Sequence, residues 1–152
     1  MPEWLNTRNV DLSVFAVANL ANLLLIGIFL SRVWNRRQLE HNIFGVLFLL
    51  LAFPLIAAIV FNIATRREWW TIVLPALVVV FQLVELLLDY ILKVDFRHSR
   101  LLGPYLGLYY LSLMGMIGYS FSVGKPYGFI TLATYFLNLA ATWFSYSRVG
   151  HG

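Results

Sequence analysis

The chain has no cysteine and few charged residues, and both shortages narrow the class of protein. Of its 152 residues, 12% are charged and 61% are hydrophobic, whereas a soluble domain has about 25% charged and about 45–50% apolar residues. Without cysteine there is no disulfide scaffold, no cysteine-bound metal and no thiol nucleophile. Low charge combined with high hydrophobicity also excludes intrinsic disorder. The composition therefore predicts an integral membrane protein.

Five apolar stretches are long enough to cross a bilayer, for which a helix needs about 20 residues. The apolar runs are continuous rather than alternating, which favours helices over barrel strands. We therefore predict an all-α integral membrane protein, with a single bundle of five transmembrane helices and short loops forming one domain over residues 1–152. The predicted spans are about 11–31, 43–64, 71–94, 101–122 and 128–147.

Lysine and arginine are distributed unequally between the two predicted sides of the membrane. Seven lie in the first loop, the third loop and the C-terminal tail, and four lie on the other side. Because basic residues favour the cytoplasmic side, we predict an outside N-terminus and a cytoplasmic C-terminus. The net charge of +4 fits basic loops at an anionic lipid surface. We therefore expect the lipid bilayer as a partner and no nucleic acid.

The third predicted helix carries four polar residues on one face, Gln82, Glu85, Asp89 and Lys93. A charge near the middle of such a helix costs about 2.5–3.5 kcal/mol on insertion scales, and it marks a functional site by default. Glu85 escapes this cost if it is protonated, hydrogen-bonds an amide of another helix, or binds a cation or lines a water-filled cavity. The alternative interpretation is an interfacial Asp89–Lys93 ion pair beside a purely structural Glu85.

Two pairs of polar residues outside the third helix are also candidates. Asn19 and Asn22 share a face of the first predicted helix. Their amides either hydrogen-bond across helices or belong to the same ion or proton pathway as Glu85. Arg97 and Arg100 in the third loop either hold a lipid head group or act as ordinary basic residues of a cytoplasmic loop.

Glycines recur along the fourth predicted helix at spacings that place Gly103, Gly107, Gly115 and Gly118 on one face. A GxxxG pair such as Gly103 and Gly107 allows two helices to approach closely. The face is expected either to pack against a sister helix within the bundle or to form a homodimer interface.

No sequence pattern points to a metal, a cofactor or a catalytic residue. The three histidines, His41, His98 and His151, lie in predicted loops or the tail, so we expect no metal or pigment ligation. A P-loop, a dinucleotide-binding fingerprint, HExxH and GxSxG are all missing from the sequence. The catalytic residues, if the protein has any, are not identified by the sequence.

These features leave three classes of function. The first is a proton or cation transporter or channel that uses Glu85, with Asp89 and Lys93 at the cytoplasmic exit. The second is an accessory or assembly subunit of a membrane complex without chemistry of its own, which explains the short loops equally well. The third is a membrane-embedded enzyme acting on a lipid or isoprenoid, with Glu85 or Asp89 as general acid or base. The sequence shows no second carboxylate cluster and no conspicuous nucleophile, so the enzyme is the weakest of the three.

Overall fold

A computed structural model describes residues 2–150, and every regular element in that part of the chain is helical. The predicted all-α class is confirmed, and each predicted span coincides with one long helix to within a few residues. A short 3₁₀ turn, Phe96–His98, lies between the third and fourth helices. The long helices are α1 (Thr7–Val33), α2 (Leu39–Ala64), α3 (Trp70–Ile91), α4 (Leu102–Val123) and α5 (Lys125–Val149).

The helix ends follow from local side-chain chemistry. α1 begins after Asn6, whose side-chain oxygen accepts a hydrogen bond of 2.9 Å from the backbone N–H of Asn9. Gly124 alone separates α4 from α5, and Pro126 lies in the first turn of α5, where its missing N–H costs little. α5 ends at Val149 and is capped by Gly150, whose φ of 81° suits a glycine.

The five helices form a closed ring. Each helix packs against the next one along the chain, α5 packs against α1, and α1 also contacts α4. Because successive helices alternate in direction, the loops formed by residues 34–38 and 92–101 lie at the same end as the C-terminal end of α5. We call this the basic end and the opposite one the Asp11 end.

Apolar side chains cover the outside of the bundle, as expected for contact with lipid. Phe53, Phe129 and Trp143 are 69%, 61% and 73% exposed, and an apolar surface of this kind is costly in water. Four helices, α1 to α4, are long and apolar enough to cross a membrane. α5 has sufficient length but is not among the four. Its polar residues, including Thr131 and Asn138, lower its hydropathy although they are buried.

Both α2 and α3 contain widened π-helical turns at the basic end, over residues 39–45 and 86–91. These turns meet where the Tyr90 hydroxyl donates a hydrogen bond of 2.8 Å to the carbonyl of His41. Gly45 makes this approach possible, because a Cβ at that position would lie 2.1 Å from the Tyr90 hydroxyl oxygen. Wide turns of this type occur frequently at functional sites.

Candidate functional site

A cavity of about 510 Å³ opens at the basic end of the bundle. Its volume lies within the range of small-molecule sites, about 300–1,000 Å³. Eight of its lining side chains are aromatic, and the mouth includes the exposed residues His98, Trp143 and Tyr146. The remaining wall is apolar except for a few polar and charged groups, among them Glu85. The sequence-predicted intramembrane acid is therefore part of a cavity wall.

Glu85 accepts one hydrogen bond among the described residues, and the Asp89 carboxyl lies close enough to hydrogen-bond it when one of the two acids is protonated. The Tyr105 hydroxyl, on α4, donates to its Oε2 atom. Within residues 2–150 the Oε1 atom accepts no hydrogen bond, and no basic side chain forms a salt bridge with Glu85. The amide partner considered from the sequence is not found. Tyr105 takes that place because α4 packs against α3 at this level.

Asp89, one turn further along α3, is fully engaged by Arg97 from the α3–α4 loop. The Nη1 and Nη2 atoms of Arg97 donate to the Oδ1 and Oδ2 atoms of Asp89 at 3.1 Å and 2.9 Å. Burial lowers the pKa of Arg97, but the hydrogen bonds and charge of Asp89, together with the neighbouring Tyr105 and Glu85, raise it by more, so the pKa is raised overall. Arg97 therefore stays protonated and compensates the charge of Asp89. The predicted lipid head-group role for Arg97 and Arg100 stays a prediction, and only Arg100 is exposed.

The structure places Lys93 away from the polar face to which the sequence assigned it. α3 ends at Ile91, and Lys93 follows in a left-handed backbone conformation with a φ of 51° and an exposed side chain. The alternative Asp89–Lys93 ion pair is replaced by Asp89–Arg97. The physical reason is that the helical spacing ends before Lys93, so the side chain no longer continues the row of Glu85 and Asp89.

A second arginine in the cavity wall, Arg32, is paired with Glu40. Its Nε and Nη2 atoms lie 2.8 Å and 2.7 Å from the Glu40 Oε1 atom. The buried Nη1 atom has no hydrogen-bond partner among the described residues. Sequence reasoning missed this pair, because Glu40 lay in a predicted loop and the start of α2 brings it back to Arg32. The charged groups in and next to the cavity wall are therefore three carboxylates and two guanidinium groups, those of Glu85, Asp89, Glu40, Arg32 and Arg97.

Asn19 and Asn22 lie deeper in the bundle, where they join α1 to α5. Asn19 donates to Thr131 at 3.0 Å and accepts from Thr134 at 2.8 Å. Asn22 donates to Thr134 at 3.0 Å, and its Oδ1 atom lies 3.4 Å from the amide nitrogen of Asn138. We call these five residues the amide layer. Their polar atoms are used between helices, as in the interhelical interpretation of the two asparagines.

The amide layer lies at the inner end of the cavity. Asn138 donates a hydrogen bond of 3.1 Å to the hydroxyl of Tyr109, which lines the cavity. Asn22 and Asn138 are 2% and 1% exposed. The cavity therefore ends at a hydrogen-bonded layer in which Asn22, Thr131 and Asn138 are buried and Asn19 and Thr134 are half-buried.

Gln82, predicted to belong to the same pathway as Glu85, fastens α3 to α2. Its Nε2 atom donates a hydrogen bond of 2.7 Å to the backbone carbonyl of Phe48. Gln82 is 2% exposed and is not part of the cavity wall. Its Oε1 atom has no hydrogen-bond partner among the described residues.

The glycine face of α4 is mostly directed away from the bundle. Gly103, Gly107 and Gly118 are exposed, and a Cβ added to any of them would meet nothing within 4 Å. A Cβ on Gly115 would lie 3.2 Å from a methyl carbon of Leu74 on α3. Internal helix packing therefore explains Gly115 alone. The homodimer interface at the other three stays a prediction.

The histidines lie apart from one another. His98 forms an exposed pair with Asp95 at 3.0 Å. His41 lies in the first turns of α2 rather than in the predicted loop, with its ring 5.6 Å from that of Tyr90. His151 is outside the described residues. Over residues 2–150, no group of three or more histidine, aspartate or glutamate side chains is placed to hold a metal ion.

Comparisons with family models, curated proteins and solved structures found no match for this chain. The inference of function therefore rests on the chemistry of the cavity, and in particular on the environment of Glu85.

Proposed function

We propose that the protein is a small membrane carrier for a cation that binds at Glu85. The cation is either a proton or a larger cation. The observation that carries this proposal is the environment of that acid. Glu85 lies in the wall of an open cavity, its Oε1 atom accepts no hydrogen bond from a donor group of the described residues, and the neighbouring Asp89 carboxylate is already engaged by Arg97. An ionised carboxylate within a membrane helix is costly unless it is paired. A bound cation or a proton supplies the missing partner.

The neighbouring charges support Glu85 as the binding group. Arg97 occupies both oxygens of Asp89, and Glu40 compensates Arg32. When all three acids are ionised, the group carries one negative charge more than it carries positive charges. That excess charge belongs to Glu85. Tyr105 orients the carboxylate through its hydrogen bond to Oε2.

The closed inner end of the cavity favours a carrier over an open channel. A cation that reaches Glu85 from the basic end meets the amide layer beyond Tyr109. Passage through the bundle therefore requires a second conformation in which α1 and α5 separate at this layer. Exposing a central site alternately to the two sides is the usual mechanism of secondary transporters.

The proposal includes five membrane spans and an inward-facing cavity. The polar residues of α5 are buried against α1, as in the bonds of Asn19 to Thr131 and Thr134, so lipid contacts the apolar remainder of the helix. Seven of the eleven basic residues belong to the side that holds the two loops and the C-terminal tail. With that side in the cytoplasm, the cavity opens toward the cytoplasm.

A flux assay in liposomes tests this proposal. The purified protein is reconstituted, and the fluxes of protons, of monovalent metal cations and of an organic cation, tetraethylammonium, are measured for the wild type, Glu85→Gln and Glu68→Gln. Glu68 is an exposed acid at the Asp11 end, so it controls for the loss of a glutamate elsewhere. We expect flux in the wild type and in Glu68→Gln. The flux through Glu85→Gln is expected to fall to the level of empty liposomes.

Folding of each variant is checked by thermal unfolding and size-exclusion chromatography before the assay. Flux that persists at the wild-type level in folded Glu85→Gln contradicts the role of Glu85. A folded wild-type protein that shows no flux above empty liposomes contradicts the carrier and favours an accessory subunit.

A further inference from the structure

The side-chain oxygen atoms that the structure places near Glu85 are too few to replace the hydration shell of a metal cation. A cation such as Ca²⁺ takes six to eight oxygen ligands. Near Glu85 the structure offers its own carboxylate and the Tyr105 hydroxyl, while both oxygens of Asp89 are used by Arg97. The cavity of about 510 Å³ is also far larger than a dehydrated ion needs. These features point to a larger ligand.

Aromatic rings form the wall next to Glu85. Phe81 lies one helical turn before Glu85 on α3, and its ring centroid is 5.3 Å from that of Tyr105 and 5.4 Å from that of Tyr109. All three line the cavity. Aromatic faces attract organic cations, and the apolar remainder of the wall suits a hydrophobic body. A carboxylate within such a wall is complementary to an amphipathic cation.

The charge balance favours a cation over an anion. The two arginines in the wall are each paired with a carboxylate, Arg32 with Glu40 and Arg97 with Asp89. Glu85 has no such pair within the described part of the chain. Among the described lining residues, the unpartnered Nη1 atom of Arg32 suits an anion, but Glu40 already compensates the charge of Arg32.

We propose that the cavity binds an amphipathic organic cation, an amine or onium group on an aromatic or apolar body. The positive group lies at Glu85, and the body lies against the aromatic wall around Phe81, Tyr105 and Tyr109. This inference rests on the proposed role of Glu85 as the cation site, and it adds the chemical class of the ligand.

Two probes of equal size and opposite charge test the inference. Tetraphenylphosphonium and tetraphenylborate are each titrated into nanodiscs that contain the protein, with empty nanodiscs as the blank. We expect saturable binding of the phosphonium to the wild type and to Glu68→Gln. Binding to Glu85→Gln is expected to be at least tenfold weaker. The borate is expected to bind no more than it does to empty nanodiscs.

A second pair of variants tests the cavity without changing any charge. Leu106 and Leu111 both lie on α4, but Leu106 lines the cavity whereas Leu111 is on the lipid-facing side. Leu106→Trp is expected to weaken phosphonium binding at least tenfold because the indole fills part of the cavity. Leu111→Trp is expected to bind like the wild type. This pair keeps the test decisive if Glu85→Gln does not fold.

The outcomes separate this inference from the proposed function. Glu85-dependent proton flux without phosphonium binding overturns the inference and leaves the carrier intact. Glu85-dependent phosphonium binding without any flux supports the ligand class and contradicts the carrier. Equal phosphonium binding to wild type and Glu85→Gln overturns the inference. Saturable borate binding that is lost in Arg32→Gln also overturns it, because the site would then be an anion site.

Discussion

At the Asp11 end, an arginine, an acid and a tyrosine form a matched and closed cluster. Arg67 donates to the two carboxylate oxygens of Asp11 at 2.6 Å and 3.0 Å, and the Tyr119 hydroxyl donates to Asp11 at 2.6 Å. Asn62 accepts a further hydrogen bond of 3.1 Å from Arg67. The hydrogen bond with Asp11 raises the pKa of Arg67. Each charge has a partner, and Asn62 and Tyr119 are fully buried.

The basic end holds the same three kinds of side chain, an arginine, an acid and a tyrosine. It also has a second acid that forms no salt bridge within the described residues. Arg97 engages Asp89, while Tyr105 hydrogen-bonds Glu85, a second acid on the same helix. The surplus acid lies beside a cavity instead of a packed core. The residue types therefore do not distinguish the closed cluster from the proposed binding site at Glu85. The two regions differ in charge balance and in open volume.

The largest expected effect is on stability, at the closed cluster. Arg67→Leu removes the cationic partner of Asp11, whose side chain is only 19% exposed. Removing one partner of a buried pair costs about 3–5 kcal/mol, and we expect the lower part of that range because the cluster is partly exposed. Chemical unfolding in detergent measures the loss. The folded fraction is expected to bind phosphonium like the wild type.

A double variant provides the control for this closed cluster. Adding Asp11→Asn to Arg67→Leu removes the unpaired charge and is expected to recover part of the lost stability. An Arg67→Leu protein within about 0.5 kcal/mol of the wild type, the range of ordinary surface substitutions, would contradict the stabilising role of the closed cluster.

Two matched tyrosine variants, one at each end of the bundle, are expected to lower the free energy of unfolding by less than Arg67→Leu does. Tyr105→Phe and Tyr119→Phe each remove one hydrogen bond to a carboxylate, at the basic end and the Asp11 end respectively. A hydrogen bond to a charged group contributes about 1.5–3 kcal/mol, so both variants are expected to unfold more easily. Only Tyr105→Phe is expected to change Glu85-dependent flux, which is measured in liposomes. Equal flux changes in both variants would show that the two clusters do not differ in role.

The smallest expected effect is on the glycine face of α4. Gly107→Ala adds a Cβ with nothing within 4 Å, whereas Gly115→Ala places one 3.2 Å from Leu74. We expect Gly107→Ala to stay within about 0.5 kcal/mol of the wild type and Gly115→Ala to lose more. Crosslinking in liposomes tests the predicted homodimer at the same time. Crosslinking that is weakened by Gly107→Leu supports the interface, and unchanged crosslinking argues against it.

The positions of the helices and of the unusual acid follow from composition and spacing along the chain. Five apolar runs of about 20 residues can satisfy their backbone groups within a bilayer only as helices or closed barrels, and continuous hydrophobicity selects helices. Glu85 is conspicuous for the same reason, because a charge within an apolar helix is costly wherever the neighbouring helices lie. These inferences need only composition and spacing along one helix.

The contacts between side chains of different helices depend on how the helices pack. Tyr105 rather than an asparagine contacts Glu85, Arg97 rather than Lys93 engages Asp89, and Asn19 and Asn22 contact α5 instead of the cavity. Each pairing depends on the rotation and axial register of two helices and, for Lys93, on where α3 ends. An apolar pattern fixes which segments are helical but not how far each one is turned about its axis. The surplus charge beside an open cavity is therefore a property of the assembled bundle.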